Sequence, residues 1–184
     1  MAKRDINRRQ AMSAVSAPLL AAGAAGAAGA AERATAPGLT FAFRATVTLD
    51  PPQELGTIEG QRKRIIPITG GVVSGPKLNG IVLPGGADWQ SIRPDGVTHI
   101  YARYTLKAED GTLISIINPG VRRGPEDVMR RLVAGERVDP TLYYFKTTPT
   151  FDAGGAYAWL MESVWVSVGK RWPDSVEIEY YSVD

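Results

Sequence analysis

Leu39-Thr40-Phe41-Ala42-Phe43-Arg44-Ala45-Thr46-Val47-Thr48-Leu49 alternates along its length. Leu39, Phe41, Phe43, Ala45, Val47 and Leu49 share one face, while Thr40, Arg44, Thr46 and Thr48 share the other. A period of two predicts a half-buried strand. Pro51-Pro52 ends it, because proline has no N–H to give to a ladder. Seven more segments read the same way: Arg62 to Thr69, Leu78 to Leu83, Val97 to Ala108, Thr112 to Asn118, Leu142 to Thr148, Tyr157 to Val168 and Ser175 to Val183. Between them stand Gly70-Gly71, Gly85-Gly86, Asp95-Gly96, Asp110-Gly111 and Gly154-Gly155, where glycine accepts the positive φ of tight turns.

One segment reads as a helix. Gly124-Pro125-Glu126-Asp127 puts proline in the first turn and carboxylates at the positive end of the dipole, with Arg130 and Arg131 towards the other end and Gly135 as the stop. Val128, Met129 and Leu132 form its apolar stripe. Eight antiparallel strands and a short helix fit a closed barrel or a two-sheet sandwich. We expect the barrel, since closure removes exposed edges and leaves an interior that is either filled or holds one small ligand.

Outside this domain, residues 1–31 have the layout of an export signal. Lys3, Arg4, Arg8 and Arg9 precede an uncharged Ala/Gly run from Ala11 to Ala31, and the Arg8-Arg9 pair suggests the twin-arginine type. A membrane anchor and a disordered tail are the competing readings. The expected organisation is a signal at 1–31, a lead-in at 32–38 and a barrel at 39–184, with a periplasmic or secreted mature chain.

The chain has 184 residues and no cysteine, which excludes disulfides and thiolate metal sites. Four of its 21 basic and one of its 19 acidic residues lie in 1–31, leaving 17 against 18. The folded part therefore lacks the overall basic footprint that nucleic acid requires. One histidine cannot build a multi-histidine metal centre, and no phosphate loop, dinucleotide fingerprint or nucleophile elbow is present.

The run Ile68 to Gly80, followed by Leu83-Pro84-Gly85-Gly86-Ala87-Asp88-Trp89-Gln90 and Asp95-Gly96, resembles the family called domain of unknown function 3237, also named uncharacterised protein family 0311. Tyr101-Ala102-Arg103-Tyr104, Asp110-Gly111, Tyr144-Phe145-Lys146-Thr147, Phe151 and Tyr157-Ala158-Trp159-Leu160 fit as well. The resemblance spans residues 39 to 184 and implies a small barrel similar to the calycin group, with no established activity. The chain departs from that pattern at Lys146, where arginine is usual, and at Met161, where asparagine is usual.

Several side chains could do chemistry. Asp88 lies in a Gly-Gly-Ala-Asp-Trp run read as a loop. Beside Trp89 its carboxyl would be desolvated and raised towards general acid–base use, or else it would accept donors of the glycine turn. His99, Tyr101, Arg103 and Thr105 share one face of their strand. Turned inward they offer a phenol and a guanidinium to a carbonyl or carboxylate; turned outward they are an ordinary polar face. Tyr144 and Lys146 share another face, and Tyr157, Trp159, Met161 and Trp165 a third. Inside, these would form an aromatic cavity with one cation for an oxyanion; otherwise the aromatics fill a core. Asn118 is a polar candidate at a strand end. Arg62-Lys63-Arg64 reads as a solvated edge.

The expected function is an exported small-molecule-binding barrel that performs cofactor-independent acid–base chemistry on an apolar or aromatic carbonyl compound. In it Asp88 moves the proton, Arg103 or Lys146 stabilises negative charge, Tyr101 and Tyr144 donate hydrogen bonds, and Trp89 with Trp159 form walls. The rivals are a non-catalytic periplasmic carrier of a hydrophobic metabolite and a filled barrel acting through its surface in an oligomer. No cofactor, metal, nucleic acid or membrane insertion of the mature chain is expected, and self-association is left open.

Overall fold

The computed structural model describes residues 35–184; the segment expected to be a signal and residues 32–34 of the expected lead-in lie outside them. Eleven strands form one antiparallel sheet. They make eight staves, because three staves are interrupted. β1 (Leu39–Leu49) and β2 (Gln53–Ile58) are one stave broken at Pro51-Pro52, and both pair with β3 (Gln61–Ser74). β4 (Gly80–Val82) and β5 (Ala87–Ile92) are the next, broken around Gly85-Gly86 and held between β3 and β6 (Thr98–Ala108). β7 (Leu113–Arg123) follows, then β8 (Tyr144–Thr147) with β9 (Thr150–Asp152), broken at Thr148-Pro149. β10 (Trp165–Arg171) and β11 (Ser175–Val183) complete the meander, and β11 pairs with β1 to close the ring. The result is a closed, eight-stave, antiparallel barrel. Proline and glycine break staves where a ladder donor is missing or the backbone must bend.

The eight segments read from the sequence map one to one onto these staves, with three differences. Tyr157 to Met161 is not strand: Gly155–Met161 is a 3-10 turn that drops Leu160 into the core, and the Trp165 indole donates to the Leu160 carbonyl at 2.8 Å. Residues 87–92, read as loop, are strand β5. Gly70-Gly71 is not a turn but lies inside β3. There Gly71 has φ +146, and a Cβ on it would sit 2.1 Å from the Thr46 carbonyl oxygen, so only glycine lets β1 approach. Asp95-Gly96 is the expected turn, with Gly96 at φ +82 and the Val97 N–H donating to the Asp95 carboxylate.

β1 carries a bulge. Its register against β11 slips between Phe41 and Phe43, so Ala42 and Phe43 are both buried. The single alternating face read from Leu39 to Leu49 is thus split: Phe43, Ala45 and Val47 point inward, whereas Leu39 is exposed and Phe41 lies edge-on to Tyr181.

The two halves of the barrel interior differ. In the half where β4 and β7 begin, Phe43, Phe151, Trp165 and Tyr180 form an aromatic cluster with Leu106, Ile114 and Ile116. Helix α1 (Glu126–Val133) lies between β7 and β8 at the other end and buries Val128, Met129 and Leu132, the stripe expected from the sequence. Among the described residues no helix is long and apolar enough to cross a membrane.

Candidate functional site

Along β3 the residues Arg64, Ile66 and Ile68 are buried and share parity. On β5 their register partners are Gln90, opposite Arg64, and Asp88, opposite Ile66; on β6 Asp88 faces Ala102 and Gln90 faces Ile100, both buried. On β7 Asn118 and Arg122 share the parity of buried Ile114 and Ile116. Paired residues of antiparallel strands point to the same side, so Arg64, Asp88, Gln90, Asn118 and Arg122 all face the lumen, in the half that α1 covers.

A cavity of about 360 Å³ opens there. Three guanidinium groups line it, from Arg64, Arg122 and Arg171, together with Leu49 and the C-terminal end of α1 at Leu132 and Val133. Arg64 donates from Nε to the Gln90 amide oxygen at 2.9 Å, and the Gln90 amide nitrogen donates to Asp88 Oδ2 at 2.5 Å. The Tyr101 backbone N–H donates to Asp88 Oδ1 at 3.1 Å. Arg171 donates to the carbonyls of Ser175 and Pro173, and its own N–H is taken by the Tyr143 hydroxyl. Arg122 Nε and both polar atoms of the Asn118 amide are buried with no hydrogen-bond partner.

Burial dominates the electrostatics. It pushes the Asp88 carboxyl above its ordinary value, against the Gln90 hydrogen bond, the charge of Arg122 and the Tyr101 N–H, all of which favour the charged form. Burial first and the charge of Arg64 second pull Arg122 down to about 10, still a cation at neutral pH. Arg64 and Arg171 are lowered by burial too. Deeper in, burial pushes the Tyr104 hydroxyl, paired with that of Tyr180, up to about 12. A second cavity, of about 590 Å³, lies on the other flank of α1, but its arginines Arg62 and Arg130 are already paired with Glu54 and Glu126. Among the described residues no group of three His, Cys, Asp or Glu stands close enough to hold a metal ion.

Of the residues singled out in the sequence, Asp88 and Asn118 face the lumen. Trp165 joins the aromatic cluster in the other half of the interior, and the rest do not line the chamber. Tyr101, Arg103 and His99 are on the exposed face of β6, because the opposite parity, Ile100, Ala102, Tyr104 and Leu106, fills the barrel. Trp89 stands beside Tyr101 on that outer surface, and Trp89 and Arg103 border a surface pocket of about 270 Å³. Tyr144 and Lys146 face outward because Tyr143, Phe145 and Thr147 take the inner side of β8; the Arg123 guanidinium stacks on Tyr144. Trp159 is half-buried on the 3-10 turn, against Trp165 and beneath the Lys77 ammonium. The interior is therefore not the aromatic cavity expected: aromatic rings fill one half and arginines line the open half.

Gln90, Arg122 and Arg171 were not singled out by sequence, and Arg64, read with Arg62 and Lys63 as a solvated edge, is instead buried and faces the lumen. The signal was available for two of them. Arg64 has the parity of Ile66 and Ile68, and Arg122 that of Ile114 and Ile116, so neither belongs on a polar face. β3 is flanked on both sides and is no edge.

Fold and site together define a small closed barrel with an arginine-lined chamber under one helix. The chain belongs to the family described as protein of unknown function, DUF3237, whose model matches residues 37–183. A UPF0311 protein of Clostridium acetobutylicum is 42% identical over 144 residues, spanning 77% of this chain and 90% of that one. The crystal structure of a conserved protein of unknown function from Rhodopseudomonas palustris superposes with a TM-score of 0.80 at 37% identity, covering 82% of this chain and all of that one. A hydroalkoxylation enzyme of Penicillium herquei is 34% identical over 84 residues, 46% of this chain and 56% of that one. An enzyme structure from the same organism shares the fold with a TM-score of 0.62 at 22% identity, covering 83% of this chain and 98% of that one.

Proposed function

We propose that the barrel is an acid–base enzyme for addition or elimination on a small aromatic or apolar carbonyl compound. The observation that carries the reading is the hydrogen-bonded series Arg64–Gln90–Asp88, in which Arg64 lines the chamber and connects it to a desolvated carboxyl one residue removed. In the forward direction an O–H nucleophile adds across a double bond conjugated to a carbonyl. Asp88 accepts the O–H proton as the C–O bond forms. The π electrons move onto the carbonyl oxygen, where Arg64, held next to Asp88 by Gln90, stabilises the enolate, and protonated Asp88 returns the proton to the α-carbon. Hydroalkoxylation, the activity for which the Penicillium relative is named, is an addition of this kind.

The reading is tested with 2′-hydroxychalcone and benzylideneacetone, followed by loss of enone absorbance and by deuterium incorporation at the α-carbon in D2O. The expected result is acceleration above buffer by the native protein. Tight retention of an unaltered ligand with no acceleration would leave the carrier reading in its place.

The proposal includes export, motivated by Arg8-Arg9 and the Ala/Gly run of 1–31. Cell fractionation is expected to recover the protein outside the bacterial cytoplasm, and the double change Arg8→Lys, Arg9→Lys to retain it inside. Equal distribution of both forms would remove the signal assignment.

A further inference from the structure

We propose that the chamber takes a ligand bearing a carboxylate on an apolar or aromatic body, with the carboxylate clamped by Arg122 and Arg171 and Arg64 left for the reacting carbonyl. This rests on the acid–base reading and specifies the substrate class of that same site. Elsewhere on the barrel several cations have partners: Arg44 meets Glu179 at 2.5 Å, Arg62 meets Glu54 at 2.7 Å, and Lys170 meets Glu177 at 2.8 Å; cations without one, such as Arg103 and Lys146, are exposed to water. Arg64, Arg122 and Arg171 form no ion pair among the described residues, although Arg64 and Arg122 are only 6% and 3% exposed. Arginine cannot escape burial by losing its proton at neutral pH. Three such groups converging on one cavity repel one another, and the unpartnered Nε of Arg122 adds a desolvated donor.

Among the described residues the only acidic one on the inner face beside them is Asp88, which Gln90 separates from Arg64. Asp50 and Asp174 also line the cavity, but both are exposed at its rim. A ligand carboxylate supplies the missing counter-charge and matches the planar fork of a guanidinium. The rest of the ligand has an apolar wall to meet, formed by Leu49, Pro52, Leu132 and Pro173. A phosphate would leave that wall unfilled. The carbonyl end of α1 also borders the chamber, and its partial negative charge opposes a dianion more than a monoanion.

The test is calorimetric titration of the full chain with benzoate, benzamide and inorganic phosphate. Benzoate is expected to bind saturably at one site and at least about tenfold tighter than benzamide, a difference of one charge-assisted contact. Arg122→Gln is expected to weaken benzoate at least about tenfold. Arg171→Gln, at the less buried edge, is expected to act in the same direction and serves if the first variant fails to fold. Equal binding of benzamide, tighter binding of phosphate than of benzoate, no saturable benzoate binding, or undiminished affinity in folded arginine variants would each overturn the clamp. Benzoate binding without turnover of any enone would leave the clamp standing and remove the acid–base reading. Turnover of 2′-hydroxychalcone without benzoate binding would do the reverse.

Discussion

Replacing Asp88 with asparagine is expected to lower kcat by about 10²–10⁴, the usual contribution of a positioned general acid–base. The substitution is nearly isosteric, so the β5 register and the buried neighbours Ile66 and Ala102 stay in place. What changes is proton affinity. An amide oxygen can still accept from Gln90 or from the Tyr101 N–H, but it cannot take a proton from a substrate. The same variant separates a raised carboxyl from an ordinary one by stability. The native carboxyl lies above its ordinary value of 3.8. Between that value and the raised one the folded chain keeps a proton that the unfolded chain has lost. Its stabilising contribution is therefore complete below the window and declines as pH rises through it. Asp88→Asn lacks that titration, so its stability relative to the native protein should improve as pH rises above the ordinary carboxyl value of 3.8 in urea unfolding. A relative stability that falls over that range, or turnover equal to native, would take Asp88 out of the mechanism.

The largest structural effect is expected at Phe43. Its side chain is fully buried, stacks on Tyr180 at 4.5 Å between ring centroids, and meets Phe151 and Trp165 at 6.1 and 6.4 Å. Phe43→Ala removes one ring from a four-ring cluster whose members are held by the walls of a closed sheet, which cannot collapse far into the gap. The expected loss is about 3–5 kcal/mol, read as a drop in the urea midpoint at unchanged slope. The cluster lies in the half of the barrel away from the arginines, so benzoate affinity of the folded variant should stay within about twofold, as sites without shared partners behave. A loss under about 1 kcal/mol would show that the cluster repacks and is not the rigid half of the barrel.

Much of this architecture was legible in the residues themselves. Period-two segments gave eight staves and the Pro125-to-Gly135 punctuation gave the helix, because each signal is local: a ladder, a turn or a cap is decided within a few residues. Strand β5 was hidden because Gly85-Gly86 reads as a turn and Asp88-Trp89-Gln90 carries no apolar alternation. Its alternation is Asp88 and Gln90 inward against Trp89 outward, the reverse of the usual pattern, since the lumen here is polar.

Alternation by itself fixes that a strand has two faces and which residues share each one. It does not fix which face is enclosed, and where both carry large rings, as with Tyr143 and Phe145 against Tyr144 and Lys146, nothing local decides. Closure of β11 onto β1 makes that choice for all eight staves at once, and the bulge at Ala42 reverses it within a single strand. The gathering of Arg64, Arg122 and Arg171, which stand on three different staves, into one chamber belongs to that closure, because residues 64, 122 and 171 become neighbours only when the sheet is rolled.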